Sequence, residues 1–394
     1  MFNVMDEVRK VESDIIGWRR DLHRIPELGL ELPETVKYVT GKLDEMGIPY
    51  LTLVNGNAVV ALIKGGGEGK TIAIRADMDG LPVKEETGLA FASVNGCMHA
   101  CGHDGHTAIL LGAAKVLNEH KAMLHGNVKL LFQPGEEYPG GALPMIQEGA
   151  LENPHVDAII GLHEGRISND ITKGKIGITY GPMMASMDRI SIRIKGKGSH
   201  GAYPEDSVDP ISTAAEVISA LQRVVSREIR AVEPAVLSIT RIAGGFNQNI
   251  IPDDVELEGT VRTFNNETRQ FIAKRIDEIT MGITSAMRAK YELQYEFKYP
   301  PLINSAEFTR FFVASAQKLM APEDIVEMAH PVMGGEDMAY FLEQVPGTFF
   351  FLSNPGEIDG STHPHHNPKF DIDESVFKTG CGLFVQTAVD YLNS

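Results

Sequence analysis

The chain has 394 residues, with 36 Lys and Arg against 53 Asp and Glu, and a formal charge of −17. With 43% hydrophobic and 23% charged residues, it has the make-up of a folded chain large enough for two or three domains rather than of a disordered or fibrous one. The excess of carboxylates argues against nucleic acid or an anionic membrane surface as partner, and leaves divalent cations as natural ligands.

The N-terminal stretch MFNVMDEVRKVESDIIGWRRDLHR is charged and amphipathic and lacks the apolar run of a signal peptide. No apolar run reaches the roughly 20 residues of a membrane span, so a cytoplasmic protein is expected. Cys97, Cys101 and Cys381 are an odd set in a long chain, which fits reduced thiols better than a disulfide framework. The runs NAVVALI, TIAIRAD, VKLLFQP and VDAIIGLH read as buried strands, and HTAILLGAAKVLNEH as a helix, which together predict a layered α/β domain. From about Met187 the order becomes strand, helix, strand, strand, helix, strand, the βαββαβ pattern of a ferredoxin-like unit. After Pro300-Pro301 come helix-rich sequence, the strand VPGTFFFLS, a His-rich loop and the closing helix DESVFKTGCGLFVQTAVDYL. The predicted architecture is a discontinuous α/β/α domain over residues 1–185 and 300–394, with a central, mostly parallel sheet. A ferredoxin-like module over 186–299 interrupts it.

The densest chemical cluster is Cys97-Met98-His99-Ala100-Cys101-Gly102-His103-Asp104-Gly105-His106, placed just ahead of the predicted helix. Thiolate and imidazole at this spacing suit Zn²⁺, Co²⁺ or Mn²⁺ better than Mg²⁺ or Ca²⁺. The plain alternative is a turn in which Asp104 caps the helix. Glu136 and Glu137 follow the strand VKLLFQP and a Pro-Gly turn, and His163 ends the strand VDAIIGLH. Open α/β sheets gather their ligands at the carboxyl ends of strands, so these groups and the Cys101–His103 loop are expected to share one crevice. Each taken singly reads as a solvated turn or a hydrogen-bonded strand end; their joint occurrence favours a metal site. Adjacent glutamates then divide the labour: one binds metal, while its neighbour accepts a proton from water. Asp77 and Asp79 end the strand TIAIRAD, and either is placed to orient a ligand imidazole or simply to form the turn before Gly80 and Pro82. Among His363, His365 and His366 of the late loop, one is a candidate ligand distant in sequence. A different chemistry also fits the cluster, with Cys101 as nucleophile and His103 or His106 as base.

The motifs RRDLHRIPELGLELPET, IAIRADMDGLPVKEETG, MHACGHDGHTA, LLFQPGEE, GLH, KGSHGAYPEDSVDP, IIPDDVELEGTVRTF, GGEDMAYFLEQVPGTFFFLS and HHNPKFDID, in this order, resemble the dinuclear metallo-aminoacylases of peptidase family twenty. The similarity runs from about Gly17 to the last helix. The branch resembled is that of the hippurate hydrolases, N-acyl-amino-acid amidohydrolases and plant auxin-conjugate hydrolases. The resemblance implies two divalent metal ions (Mn²⁺, Zn²⁺ or Co²⁺) held by Cys101, His103, Glu137, His163 and His366, with Glu136 as general base and Asp79 as orienting carboxylate. Asp77 stands where other members carry a metal-binding His. Relatives usually have an apolar residue at the position of His365.

The resemblance further implies that the inserted module is a lid and dimerisation domain of a homodimer, with His200 polarising the scissile carbonyl in the neighbouring subunit's site. Asn249 and Arg262 match the pair that holds a substrate carboxylate, a task that suits the bidentate fork of Arg. On its own, Arg262 on an alternating strand reads as a surface or ion-pair residue. Many relatives carry a His where this chain has Glu205. The implied reaction is hydrolysis of an N-acyl amino acid, N-acetyl, N-benzoyl or similar, to a carboxylic acid and a free amino acid. Dipeptide or aminoacyl-conjugate hydrolysis by the same chemistry, and a non-catalytic metal-binding protein, are the alternatives.

Overall fold

The computed structural model describes residues 2–394, which divide into two units. The first comprises residues 2–183, 303–332 and 337–394, and the second residues 184–302 and 333–336. The second unit thus takes in Met333–Glu336 as well as the stretch that carries the βαββαβ pattern.

An eight-stranded sheet organises the first unit, in the order Tyr50–Leu53, Ala58–Lys64, His125–Gln133, Gly67–Asp77, Ala158–Gly165, Gly347–Ser353, Ile176–Ile178, Ile325–Glu327. Its four central strands, His125–Gln133, Gly67–Asp77, Ala158–Gly165 and Gly347–Ser353, are mutually parallel, while the flanking strands join with antiparallel partners on either side. Ala158–Gly165 and Gly347–Ser353 are buried along their whole length, as expected of strands covered on both faces, and this is why they read as unbroken apolar runs. Helices Val4–His23, His103–Glu119 and Phe377–Leu392 pack on one another, and the last two also pack on the sheet. The parallel arrangement brings Asp77, Gln133 and Gly165 to the same edge of the sheet, and the helix His103–Glu119 starts beside them.

That helix starts at His103, inside the Cys/His cluster rather than after it. Its N-cap is Gly102, whose φ of +89° favours a residue without Cβ. Asp104 does not cap it: no side-chain cap bond is made, and the Asp104 carboxylate instead accepts from Arg19 Nε at 2.8 Å and pairs with His23 Nδ1 at 2.7 Å. Starting a turn early places His103 and His106 three residues apart on one helix face.

The second unit is a four-stranded antiparallel sheet in the order Ala235–Gly244, Asp254–Thr263, Asp188–Lys195, Lys290–Phe297, with helices Pro210–Arg223 and Asn266–Ala286 packed on it. Chain order and sheet order together are those of the ferredoxin-like unit. Alternation decides which face is covered. Ile190, Ile192 and Ile194 are fully buried, while Arg189 and Arg193, between and before them, are exposed. Asp209 and Asn265 cap the two helices through their side chains.

Candidate metal centre

At the carboxyl edge of the large sheet, side chains from four separate segments converge. Cys101 Sγ lies 3.4 Å from His163 Nε2, and His163 Nδ1 is fixed by donating to the Glu164 carbonyl at 2.8 Å. That bond puts the proton on Nδ1 and leaves the Nε2 lone pair facing the thiol. Glu137 Oε1 is 3.0 Å from His366 Nε2. Two groups of potential ligand atoms, each mutually within 4.8 Å, share one member: Cys101 with His103 and His163, and Cys101 with Glu137 and His366. A further group of the same size joins His103, Glu136 and Glu137.

Asp79 braces the glutamate turn through its backbone. Its Oδ1 accepts the Glu136 amide at 2.9 Å and its Oδ2 the Glu137 amide at 3.1 Å, and Oδ1 also lies 3.4 Å from His103 Nδ1. Asp77 is engaged differently: Oδ1 pairs with His106 Nδ1 at 2.6 Å and Oδ2 with Arg75 Nη1 at 2.7 Å. His106 Nε2 accepts the Glu164 amide at 2.9 Å, so the proton sits on Nδ1 and both nitrogens are in use. Sequence reasoning offers His106 as a base for a Cys101 nucleophile; the structure leaves it no free nitrogen for that role. Burial, followed by the charges of Glu137 and Glu136, pushes the Cys101 thiol well above its ordinary range, which also disfavours a free thiolate nucleophile.

His103 supplies the test of whether a cation fits. It is wholly buried; Nδ1 faces Asp79 Oδ1 at 3.4 Å, while Nε2, 3.9 Å from Asp77 Oδ2, makes no hydrogen bond among the described residues. A buried ring nitrogen without a hydrogen bond is costly, and a bound cation would satisfy it. Burial works against a charged His103, but the carboxylates of Asp77, Asp79 and Glu137 outweigh it and push the imidazole up to about 10. The local field is therefore strongly negative, and a donor set of one thiol, three imidazoles and a carboxylate suits a borderline transition-metal ion.

Of the three histidines in the late loop, His366 faces Glu137, whereas His365 Nε2 sits 3.0 Å from the Glu164 carbonyl. Gly165, at φ +103°, makes room for it, since a Cβ there would stand 2.3 Å from His365 Nε2. His366 itself adopts φ +66°, an uncommon conformation for a residue with a side chain.

His200, Asn249 and Arg262 lie in the second unit. The short strand Ser199–His200 pairs with Ile250–Ile251, and the Gly201 amide donates to the Asn249 carbonyl at 2.7 Å, so His200 and Asn249 are neighbours. His200 is exposed and its Nδ1 accepts the Ala202 amide at 3.1 Å, which leaves Nε2 as the outward donor. Arg262 sits on the strand Asp254–Thr263, and its Nη1 is buried with no hydrogen-bond partner among the described residues. Sequence reasoning passes over Arg75, Gln133 and Asp337, which are buried around the centre; the one trace they leave is a charge inside the apolar run TIAIRAD.

A profile of Peptidase family M20/M25/M40 matches residues 73–390. The chain is 41% identical over 385 residues to an N-acetyl-L-cysteine deacetylase of Bacillus subtilis (strain 168), covering 98% of this chain and 89% of that protein. It is 44% identical over 302 residues to an N-acyl-L-amino acid amidohydrolase of Geobacillus stearothermophilus, covering 76% and 80%. A crystal structure of a dinuclear metal-binding peptidase of family M20 from Bacillus subtilis superposes with a TM-score of 0.84 at 38% identity, covering 98% of this chain and 99% of that one. With a profile match over most of its length and relatives above 40% identity along nearly all of it, the chain belongs to Peptidase family M20/M25/M40.

Proposed function

We propose that the protein is a metal-dependent amidohydrolase that cleaves the amide bond of N-acyl amino acids, releasing a carboxylic acid and a free amino acid. The observation that carries this reading is the convergence of Cys101, His103, Glu137, His163 and His366, with the buried Nε2 of His103 left without a hydrogen bond among the described residues and Glu136 beside them. Relatives named as N-acyl amino acid amidohydrolase and N-acetylcysteine deacetylase support the substrate class.

In this reading Cys101 is common to two sites, one completed by His103 and His163 and the other by Glu137 and His366. Two divalent ions bound there, Mn²⁺, Zn²⁺ or Co²⁺, would polarise the amide carbonyl and make water acidic enough to lose a proton near neutral pH. Glu136 takes that proton as water attacks the carbonyl carbon, then delivers it to the leaving amine. Asp79 holds the Glu136 and Glu137 amides, so the base keeps its direction through both transfers. Nε2 of His200 donates to the developing oxyanion, a contribution of about 2.7 to 4 kcal/mol for such a donor. Asn249 and the unpaired Nη1 of Arg262 take the substrate carboxylate. The protein works as a cytoplasmic homodimer in which His200 comes from the partner subunit.

Replacing Glu136 with Gln tests the assignment. Metal content by elemental analysis should stay at the wild-type value while kcat falls by at least about 100-fold, the low end for a general base. Full activity in that variant would remove Glu136 from the mechanism. A hydrolysis panel of N-acetyl, N-benzoyl and longer N-acyl amino acids, with a dipeptide alongside, defines the acyl preference; turnover of the dipeptide alone would replace this substrate class with peptides.

A further inference from the structure

Arg75 is a charged side chain inside an otherwise apolar stretch of the strand Gly67–Asp77, and it is 1% exposed. Its guanidinium donates in three directions: Nε to Gln133 Oε1 at 2.9 Å, Nη1 to Asp77 Oδ2 at 2.7 Å and Nη2 to Asp337 Oδ1 at 2.9 Å. Each acceptor leads to a different part of the centre. Asp77 holds His106, and His106 holds the Glu164 amide, next to His163. Gln133 is the last residue of the strand that runs into the Glu136–Glu137 turn, and its Nε2 donates to both oxygens of Asp337 at 2.7 and 2.8 Å. Asp337 Oδ2 accepts the Gly141 and Ala142 amides, each at 3.0 Å, which ties down the far end of the same turn. The Asp337 carboxylate also comes within 4.8 Å of that of Glu136, so the charge it would place beside the base is offset by Arg75.

We propose that Arg75 is a positioning residue, one guanidinium that sets the spacing between the His106–His163 side of the centre and the turn carrying Glu136 and Glu137. The inference rests on the metal-centre reading given above. Asp77, Gln133 and Asp337 are not themselves candidate ligands, and the proposed influence of Arg75 passes through them to the ligands. The planar fork of an arginine holds acceptors from three separate nitrogens in fixed directions, whereas a lysine offers a single point charge on a flexible stem. Removing the fork would also leave two buried carboxylates without their cation.

The test uses Arg75→Lys and Asp337→Asn in the full chain, singly and together, with Mn²⁺ affinity measured by competition against a chelator, thermal melting, and kcat and KM on an N-acetyl amino acid. Mn²⁺ affinity is expected to fall by about 10- to 100-fold in each single variant, the usual effect of losing a group that orients a ligand. kcat should fall more than KM changes, and the double variant should bind Mn²⁺ less weakly than the two single losses combined would give, because both changes remove the same Arg75–Asp337 pair. Wild-type Mn²⁺ affinity in the folded variants overturns the proposal, even where the melting temperature drops, because Arg75 is then a structural ion pair only. A wild-type protein that takes up none of Mn²⁺, Zn²⁺ and Co²⁺ overturns the metal-centre reading itself, and that outcome is read without any variant; if it takes up only Zn²⁺ or Co²⁺, the competition is run with that ion.

Discussion

Asp79 carries more than its position suggests. Its two oxygens receive the amides of consecutive residues, Glu136 and Glu137, while Oδ1 also faces His103. One carboxylate therefore orients the proposed base, a proposed ligand carboxylate and a proposed ligand imidazole together. In Asp79→Asn one acceptor becomes an NH₂ group that meets an amide N–H head-on, so the glutamate turn should shift. Metal affinity is expected to drop by about 10- to 100-fold in a chelator competition, as when a group that orients a metal ligand is lost. Unaltered affinity would mean that Asp79 closes a turn and nothing more. The grouping of Cys101, His103, Glu136, Glu137, His163 and His366 is legible in the sequence because thiol, imidazole and paired carboxylates are rare at strand ends and each sits beside a Pro, Gly or apolar run. Arg75 is not legible, because its partners Gln133 and Asp337 lie 58 and 262 residues away and a lone Arg in a strand reads as an edge or surface residue. The consumption of both His106 nitrogens is equally hidden, since it depends on a backbone amide at residue 164.

The helix His103–Glu119 is the element on which the centre depends, because its first turn carries His103 and His106 and its body is buried on nearly all sides. Gly112 shows how closely it is held: a Cβ there would stand 2.4 Å from Ile15 Cδ1 of the N-terminal helix and 3.4 Å from Cys381 Sγ of the C-terminal one. Gly112→Ala gains helix propensity but overpacks this three-helix contact, and a net loss of about 1 to 3 kcal/mol is expected in denaturant unfolding. A stabilised Gly112→Ala protein would show that Ile15 has room to turn aside. The existence of this helix and of the buried parallel strands is legible from periodicity, because strands covered on both faces leave unbroken apolar runs. The helix start is not. Gly102 caps by backbone conformation, and the obvious capping side chain, Asp104, is drawn away by Arg19 and His23, residues some 80 positions earlier in the chain.

For the molecule as a whole, the sequence order alone separates a ferredoxin-like unit from the large α/β unit, since the switch from alternating strand and helix to βαββαβ is a change of rhythm that needs no tertiary information. The candidate metal-binding residues lie in the first unit, and His200, Asn249 and Arg262 in the second. If His200 serves the partner subunit, a mixture of His200→Ala and Glu136→Gln proteins should regain activity on subunit exchange, because one site of each mixed dimer is complete. Confirmed exchange without recovery would place the whole site within one chain. The charge of −17 takes on a local meaning here: Asp77, Asp79 and Glu137 create the negative field that lifts His103, while the substrate carboxylate is proposed to meet Arg262. Release of free amino acid from an N-acetyl amino acid, followed before chelation, after chelation and after return of Mn²⁺, Co²⁺ or Zn²⁺, separates metal-dependent hydrolysis from a metal-free reaction. Activity should be lost with the metal and return with it; hydrolysis that continues at the original rate in the metal-free protein would show that the Cys101–His366 cluster does not act through metal.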